Sequence, residues 1–527
     1  MSVLLVHTAP HVTHRSWNYL EHLGIGFLEK ALLNDGIPVE TIDATWNWDD
    51  ARTVTDTILA PGAAHDLVGF SVSRSNFHST IDVIRLARDR GYAGHVTLGG
   101  YFPTFHHEKI LSNFAEVDSV VVGHGEYTLT MLARCLTEGK SAEGTPGLAY
   151  RDDRGSVSFR PSLETEEFLA SVGIPVHRPR YRVARMITSR GCSWACTFCS
   201  VNTFDRHSLK SRYLRRDLDE VLEEVELLVR GQGVNHIWLS DMDFIGRDRA
   251  FIAEFCERII RSRYGLTFEG DCRVDALDEE LVRLLAEAGF KCLFLGVESF
   301  ADRQLSAYSK FPKRDGRPAV LDVVETMRRH GLVPRFGFIM FDKDTTLDEL
   351  ELNHDVISQS VGYGTLDGLA NKLAVLPGTK LERDYLKDTE NCFQVPINEA
   401  NRLESHLYYT QYRFADDLVA HIYELSFSYR NKFHRLQDLL DRRLRDGMID
   451  YSEHYKALWA LRDQFGTLYG EILNVARERG ADAVRSVELR ERLDGILLTF
   501  CESGGFAREE VWRLLDAENQ TPGARHP

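Results

Sequence analysis

Cys192-Ser-Trp-Ala-Cys196-Thr-Phe-Cys199 sets three thiols within eight residues, just after a strand-like run. Thiolates are the ligands of iron–sulfur clusters, and three on one loop can hold three irons of a cubane. The fourth iron is then open to a small chelating ligand. The alternatives are a zinc site or chance clustering. Zinc at structural sites usually takes four ligands, and no fourth Cys or close His accompanies these three. The other six of the nine cysteines are scattered singly, which suits a reducing cytoplasm rather than a disulfide scaffold.

The elements that must position this loop can be read from the periodicity. Residues 1–145 alternate strand-like runs (Val3–His7, Val39–Asp43, Leu67–Val72, His95–Gly99, Ser119–Val122) with helical ones (Gly26–Asp35, Thr80–Arg90, Glu126–Glu138). Such βαβ alternation predicts a doubly wound parallel sheet that binds ligands outside the carboxyl ends of its strands. Residues 146–182, with Pro161, Pro175 and Pro179, read as a linker. A second βα series spans 183–399, with strands near Ala184–Ser189, Asn235–Leu239, Leu266–Asp271, Lys291–Gly296, Pro334–Met340 and Leu369–Val375. Helices such as Asp217–Gly231 and Asp278–Ala288 fall between them, and six strands in this rhythm suit a partial (β/α) barrel with its active site at the C-terminal strand ends. Residues 400–527 lose the strand rhythm and read as a helical domain, with helices over Asp416–Leu439, Tyr451–Arg479 and Ser486–Cys501 and a frayed end from Asn519.

The loop matches the CxxxCxxC of the radical S-adenosylmethionine (SAM) superfamily residue for residue, and the chain resembles that family through the predicted barrel. The resemblance implies a [4Fe–4S] cluster on Cys192, Cys196 and Cys199 whose open iron chelates SAM. One electron then cleaves the sulfonium to a 5′-deoxyadenosyl radical. Phe198 matches the aromatic near adenine, and Ser240, Asp241 and Asp243 stand where the family carries its SAM amino-group motif. The family's Gly-Gly-Glu is absent there, so the two aspartates are its replacements. Arg273 looks like the partner of the SAM carboxylate, Glu298 and Ser299 resemble the "GxES" of the fourth strand, and Pro377-Gly378-Thr379 matches a "PGT" turn.

Residues 1–145 resemble the cobalamin-binding domain that precedes the barrel in one large subgroup. Matching segments are Gly24–Gly26, Asp66–Ser71, Leu98–Thr104, which includes Tyr101, and Val122–Glu126. Glycines at strand ends let backbone approach a flat ligand or phosphate closely, so Gly99, Gly100, Gly123 and Gly125 are expected to line the cleft for the nucleotide tail, with Ser71 and Glu126 beside them. The loop holding Ser73, Arg74, Asn76 and His78 is expected to face the lower side of the corrin. No Asp-x-His-x-x-Gly occurs in residues 1–145, so the resemblance is to proteins that bind cobalamin base-off without a His ligand. A flavodoxin-like domain that binds nothing is the alternative. Trp46, Trp48, Tyr408, Tyr409 and Tyr412 read as packing residues.

The resemblance implies a cobalamin-dependent C-methyltransferase acting on an unactivated carbon of a small molecule or peptide. One SAM loads the cobalt with methyl, and a second gives the radical that opens the substrate carbon. The alternatives are rearrangement, ring contraction or cyclisation on the same scaffold, and a non-catalytic cofactor sensor. Residues that act on substrate are not identified, and a flavodoxin- or ferredoxin-type reductant is implied. A net charge of −16 argues against nucleic acid, and no stretch approaches the roughly 20 apolar residues of a membrane span. Met1–His7 reads as a first strand rather than a signal peptide, which points to the cytoplasm.

Overall fold

Val3–His7 (β1) is an unbroken apolar run, as a strand covered on both faces requires. Its side chains alternate between two cores. Leu4 and Val6 join one with Val54, Ile81 and Phe114, while Val3 and Leu5 join another with Ile25, Leu129 and Leu132. The computed structural model describes residues 2–9, 21–45, 50–60, 65–162, 166–179, 181–310, 316–358, 368–398, 409–445, 448–449 and 451–503. Trp46, Trp48, Tyr408 and the chain end from Asn519 lie outside these. The chain divides into two compact units. The first is Met1–Ala276, Glu280–Leu293 and Val375–Gln411, and the second is Leu277–Glu279, Phe294–Ala374 and Tyr412–Pro527.

The first unit opens with α1 (Leu23–Asn34), β2 (Val39–Asp43), α2 (Ala51–Ile58), β3 (Leu67–Ser71), α3 (Phe77–Asp89), β4 (His95–Gly99), α4 (Tyr101–Asn113), β5 (Ser119–Val121), α5 (Glu126–Thr137), β6 (Leu148–Arg151) and β7 (Val157–Phe159). The strands form one sheet in the order β2-β1-β3-β4-β5-β6-β7, parallel as far as β5. Strand order reverses between β1 and β3, which leaves a crevice outside their C-terminal ends. The segment read as linker is partly sheet: β6 and β7 pair antiparallel around a turn in which Gly155 N–H donates to Asp152 O at 2.8 Å. The Asp-x-x-Gly turn signal there is stronger than the prolines further on.

A second sheet follows α6 (Glu166–Ser171). Its elements in chain order are β8 (Val183–Met186), β9 (Ser189–Gly191), α7 (Val201–Asp205), β10 (Tyr213–Arg215), α8 (Leu218–Glu226), β11 (His236–Leu239), α9 (Arg249–Ser262), β12 (Thr267–Cys272), α10 (Glu279–Glu287) and β13 (Phe290–Glu298). β8, β11 and β12 are parallel neighbours, and β13 runs from the first unit into the second. Asp217 caps α8, accepting from Asp219 N–H and Glu220 N–H, and Leu227–Gly231 continues as a wider π turn.

The second unit continues through α11 (Asp302–Ala307), α12 (Gly316–Arg329), β14 (Val333–Phe338) and α13 (Leu347–Val356). The sixth strand expected at Leu369–Val375 is absent. Gly368–Ala370 is a 3₁₀ turn, and only isolated bridges form, Lys372 with Phe341 and Val375 with Thr410. Polar side chains replace the ladder: Asn371 donates to Phe338 O at 2.8 Å and Lys372 to Tyr412 O at 3.1 Å. The chain then gives the first unit α14 (Lys380–Tyr385) and β15 (Cys392–Gln394), which pairs with β16 (Thr410–Tyr412). Three helices complete the second unit: α15 (Asp417–Arg445), α16 (Tyr451–Val484) and α17 (Val487–Ser503). Ile422, Leu425, Tyr429, Phe433 and Leu436 form the buried stripe of α15 at helical spacing.

Candidate functional site

β9 and β10 are antiparallel, Gly191 opposite Tyr213, and the three cysteines lie on the loop they bracket. Cys192 N–H donates to Arg212 O at 3.0 Å and closes the neck of that loop. Its far side is braced by the Pro377-Gly378-Thr379 turn: Leu381 N–H donates to Thr197 O at 3.0 Å, and Thr203 Oγ1 to Gly378 O at 3.1 Å. All three thiols are half-buried. Burial pushes the Cys192 thiol up to about 12, and Asp243 and the sulfurs of Cys199 and Cys196 add to this. A thiol so placed is ionised by the positive charge of a metal, so the donor set fits an iron–sulfur cluster. Among the described residues no three His, Cys, Asp or Glu side chains converge on one metal ion. A cubane asks for something different, because each thiolate takes its own iron.

Two of the predicted SAM contacts gather beside this loop. Arg273 donates from Nε and Nη2 to the two oxygens of Asp275, both at 2.8 Å, and its Nη1 lies 3.7 Å from Cys196 Sγ. Asp243 is buried; its Oδ2 accepts from Trp194 Nε1 at 2.5 Å, while Oδ1 is buried with no hydrogen-bond partner. An orphaned carboxylate oxygen at this position suits a cationic ligand group. Asp241 is different, since its carboxylate accepts from Thr188 N–H, Thr188 Oγ1 and Ser189 Oγ and ties β11 to the turn between β8 and β9. Burial raises its pKa, and these donors oppose the rise. Ser240, next in the chain, lines the cavity described below, and Phe198 is half-buried in the loop.

Glu298 and Ser299 belong to the second unit. Glu298 has φ +69°, rare for a side-chain-bearing residue, and pairs with the buried Lys310 at 3.0 Å. Ser299 is wholly internal: its hydroxyl donates to Gln304 Oε1 at 2.5 Å and lies 3.2 Å from Asn353 Oδ1, so it serves packing rather than a ligand.

A cavity of ≈ 350 Å³ opens at the C-terminal ends of β1, β3, β4 and β5, where the strand order reverses. Of the predicted cobalamin contacts, Ser71, Gly99, Gly100, Gly123, Gly125 and Glu126 line it. A Cβ on Gly100, at φ +101°, would sit 2.8 Å from Val72 O, and one on Gly123, at φ +83°, 2.3 Å from Ser208 Oγ. Leu5, Ile25, Phe27 and Leu129 give the wall an apolar part and His22, His124, Arg185 and Arg190 a polar one, which together suit a flat aromatic group with a polar tail.

The structure does not bring the rest of that set to the cavity wall. Asn76 closes its own loop, accepting from Ser73 N–H at 2.7 Å and donating to Thr8 O and Ser71 O at 3.2 Å. His78 is buried in α3 against Phe77, and Arg74 is half-buried in the loop. Tyr101 stacks on the cavity residue Phe204, ring centroids 4.5 Å apart. Sequence reasoning missed His22, Arg185 and Arg190 as cavity residues. His22 Nδ1 accepts from Ile25 N–H at 3.2 Å, which leaves Nε2–H to donate to Ser71 Oγ at 3.0 Å. Burial and the neighbouring His7 lower its pKa to about 3, so the ring is neutral. Arg190, on β9, pairs with Glu126 at 2.7 Å and donates to His124 Nδ1 at 3.2 Å, and His124 Nε2 donates to Asp205 at 3.0 Å. Burial works against ionisation of Glu126, but the Arg190 charge and hydrogen bond hold its carboxyl below the usual range. A His at a helix start was the available signal for His22.

Known proteins match both regions of the chain that carry these features. The radical SAM superfamily profile matches residues 186–356, and the B12 binding domain profile residues 12–133. An uncharacterized methyltransferase of Pyrococcus horikoshii is 26% identical over 298 residues, 54% of this chain and 62% of that protein. The anaerobic magnesium-protoporphyrin IX monomethyl ester cyclase of Rubrivivax gelatinosus is 26% identical over 347 residues, 62% of this chain and 59% of that one. The chain thus spans about three fifths of the length of these relatives. The structure of OxsB, a cobalamin-dependent S-adenosylmethionine radical enzyme, with aqua-cobalamin bound has the same fold, with a TM-score of 0.74 at 18% identity over 100% of this chain and 82% of that one.

Proposed function

We propose that this chain, whose residues 186–356 match the radical SAM superfamily and whose residues 12–133 match the B12 binding domain, is a cobalamin-dependent C-methyltransferase acting on an unactivated carbon of a small-molecule or peptide intermediate. The observation that carries the proposal is the short path between the two candidate sites. Arg190 lines the cavity, and Cys192 begins the cluster loop two residues later, in one compact unit. The methyltransferase relative supports methyl transfer, and the cyclase relative, at equal identity, supports the second choice of rearrangement or cyclisation.

When bound, the cluster and SAM supply a hydrogen-abstracting radical, and the corrin cobalt supplies a methyl group. The chain's own residues bind, orient and exclude water. Cys192, Cys196 and Cys199 hold the irons. Asp243 Oδ1 would accept from the α-amino group of SAM, and Arg273, steadied by Asp275, would bind its α-carboxylate. Glu298 is held by its ion pair with Lys310 within the second unit. Ser71, with its hydroxyl fixed by His22, and the glycines at the strand ends seat the nucleotide tail, and Leu5, Ile25 and Phe27 keep water from it. His22 and His124 have both ring nitrogens engaged by protein groups, so neither would be free to ligate a metal. The radical chemistry needs a one-electron reductant, for which we propose a flavodoxin or ferredoxin. Among the described residues no helix is long and apolar enough to cross a membrane.

The test is turnover with SAM carrying a CD₃ methyl. A methylase consumes two SAM per product, giving one 5′-deoxyadenosine and one S-adenosylhomocysteine, and the label enters the product. Rapid turnover without label in the product refutes methyl transfer and selects rearrangement or cyclisation.

A further inference from the structure

Trp194 stands between the first two cysteines of the loop, and its indole touches both side chains assigned above to the amino-acid end of SAM. Its Nε1–H donates to Asp243 Oδ2 at 2.5 Å. The Arg273 guanidinium lies over its ring at 4.2 Å, and that of Arg247 over it at 4.8 Å. The main chain at Trp194 is itself held, because Asn202 Nδ2, on α7, donates to the Trp194 carbonyl.

These contacts do two separate jobs. The N–H binds one oxygen of a buried carboxylate and thereby settles which oxygen is left without a donor. The ring face fixes the plane of a guanidinium through a cation–π contact. An α-amino acid end offers N–H donors and a carboxylate, so its site needs an acceptor and a cation at a set spacing. Here both hang from one rigid bicycle on the cluster loop. We propose that Trp194 is a positioning residue for SAM, with its N–H setting Asp243 toward the α-amino group and its face setting Arg273 toward the α-carboxylate. This deepens the assignment of Asp243 and Arg273 made above and rests on it.

The experiment uses the full chain with its cluster reconstituted and iron counted. Affinity is read by equilibrium dialysis and by the change in the reduced-cluster electron paramagnetic resonance spectrum. The probes are SAM, decarboxylated SAM, which lacks the carboxylate, and the deamino analogue, which lacks the α-ammonium. Trp194→Phe keeps an aromatic face and removes the N–H. Affinity for SAM and decarboxylated SAM is expected to fall about tenfold, as for loss of one charge-assisted hydrogen bond, while the deamino analogue binds as before. The Trp194→Phe/Asp243→Asn double variant should lose no more than Asp243→Asn alone. If Trp194→Phe loads iron poorly, 3-benzothienylalanine at position 194 removes the N–H with the bicyclic shape kept. An equal fall for all three probes, or no fall for SAM, overturns the role of Trp194. Should Asp243→Asn leave SAM affinity unchanged, the underlying assignment of Asp243 fails instead.

Discussion

Stability should depend on pH through His177, whose imidazole is fully enclosed between two carboxylates. Its Nδ1 lies 2.9 Å from Glu21 Oε1 and its Nε2 2.8 Å from Glu224 Oε1, with the side chain 0% exposed. Burial alone would lower the pKa, but the two hydrogen bonds and charges overcome it and raise it from 6.5 to about 9. Both nitrogens must donate, so the folded state holds an imidazolium. The surroundings oppose deprotonation only in part, because Arg216 also pairs with Glu224 at 2.6 Å, and the N–H groups of Arg178 and Arg185 donate to Glu21. A pKa raised on folding adds stability that is complete below about pH 6.5, declines as pH rises and is gone above about pH 9. The shift corresponds to about 3 kcal/mol, of which about 2 kcal/mol remains at pH 7.5. Urea unfolding of the parent and of His177→Gln should be compared from pH 6 to 9.5. The stability gap between them should shrink by about 3 kcal/mol across that range, and hydrogen exchange should locate the loss in α1 and β8. A gap that stays constant with pH would refute the imidazolium.

Replacing Cys192, Cys196 or Cys199 with Ala should lower iron from about four per chain and abolish SAM cleavage, whereas Cys135→Ala and Cys501→Ala should change neither. The cob(II)alamin form should show no nitrogen superhyperfine splitting in electron paramagnetic resonance, with or without His78→Ala; splitting that His78→Ala removes would contradict the base-off assignment. Gly139→Ala, at φ +64° with nothing near its Cβ, should cost about 1–2 kcal/mol for the backbone alone. Gly123→Ala should lower the melting temperature more than Gly139→Ala and loosen cobalamin, because its methyl also meets Ser208.

The parallel sheets were legible because their strands are continuous apolar runs, and the cluster loop because three thiols at that spacing have few other uses. The roles of single polar residues were less so. Asp241 and Asp243 are two residues apart in the same turn. Only the fold shows that Thr188 and Ser189 saturate the first and that one oxygen of the second is left without a donor. Ser73 and Asn76 looked like ligand contacts but satisfy each other within their loop, a local competition that short polar side chains commonly win. Gly26, in a segment that matches the cobalamin-binding domain, lets the Val176 backbone approach α1: a Cβ there would be 2.3 Å from Val176 O. Arg185 and Arg190 reach the cavity from outside the segment that forms its floor, and no local pattern announces a contact of that kind.

The three-residue strand Ser189–Gly191 gives consecutive residues to different masters. Ser189 donates to Asp241, Arg190 lines the cavity, and Gly191 pairs with Tyr213 at the neck of the cysteine loop. A strand alternates its faces at every residue, so an insertion or deletion of one residue here would exchange the two sides. The guanidinium would then point where the serine hydroxyl belongs. For protein engineering this fixes where the chain can be cut. A foreign cluster loop transplanted between Gly191 and Arg212 therefore needs its junctions in register, and it has to keep the cavity residue Phe204 and Asp205, the partner of His124.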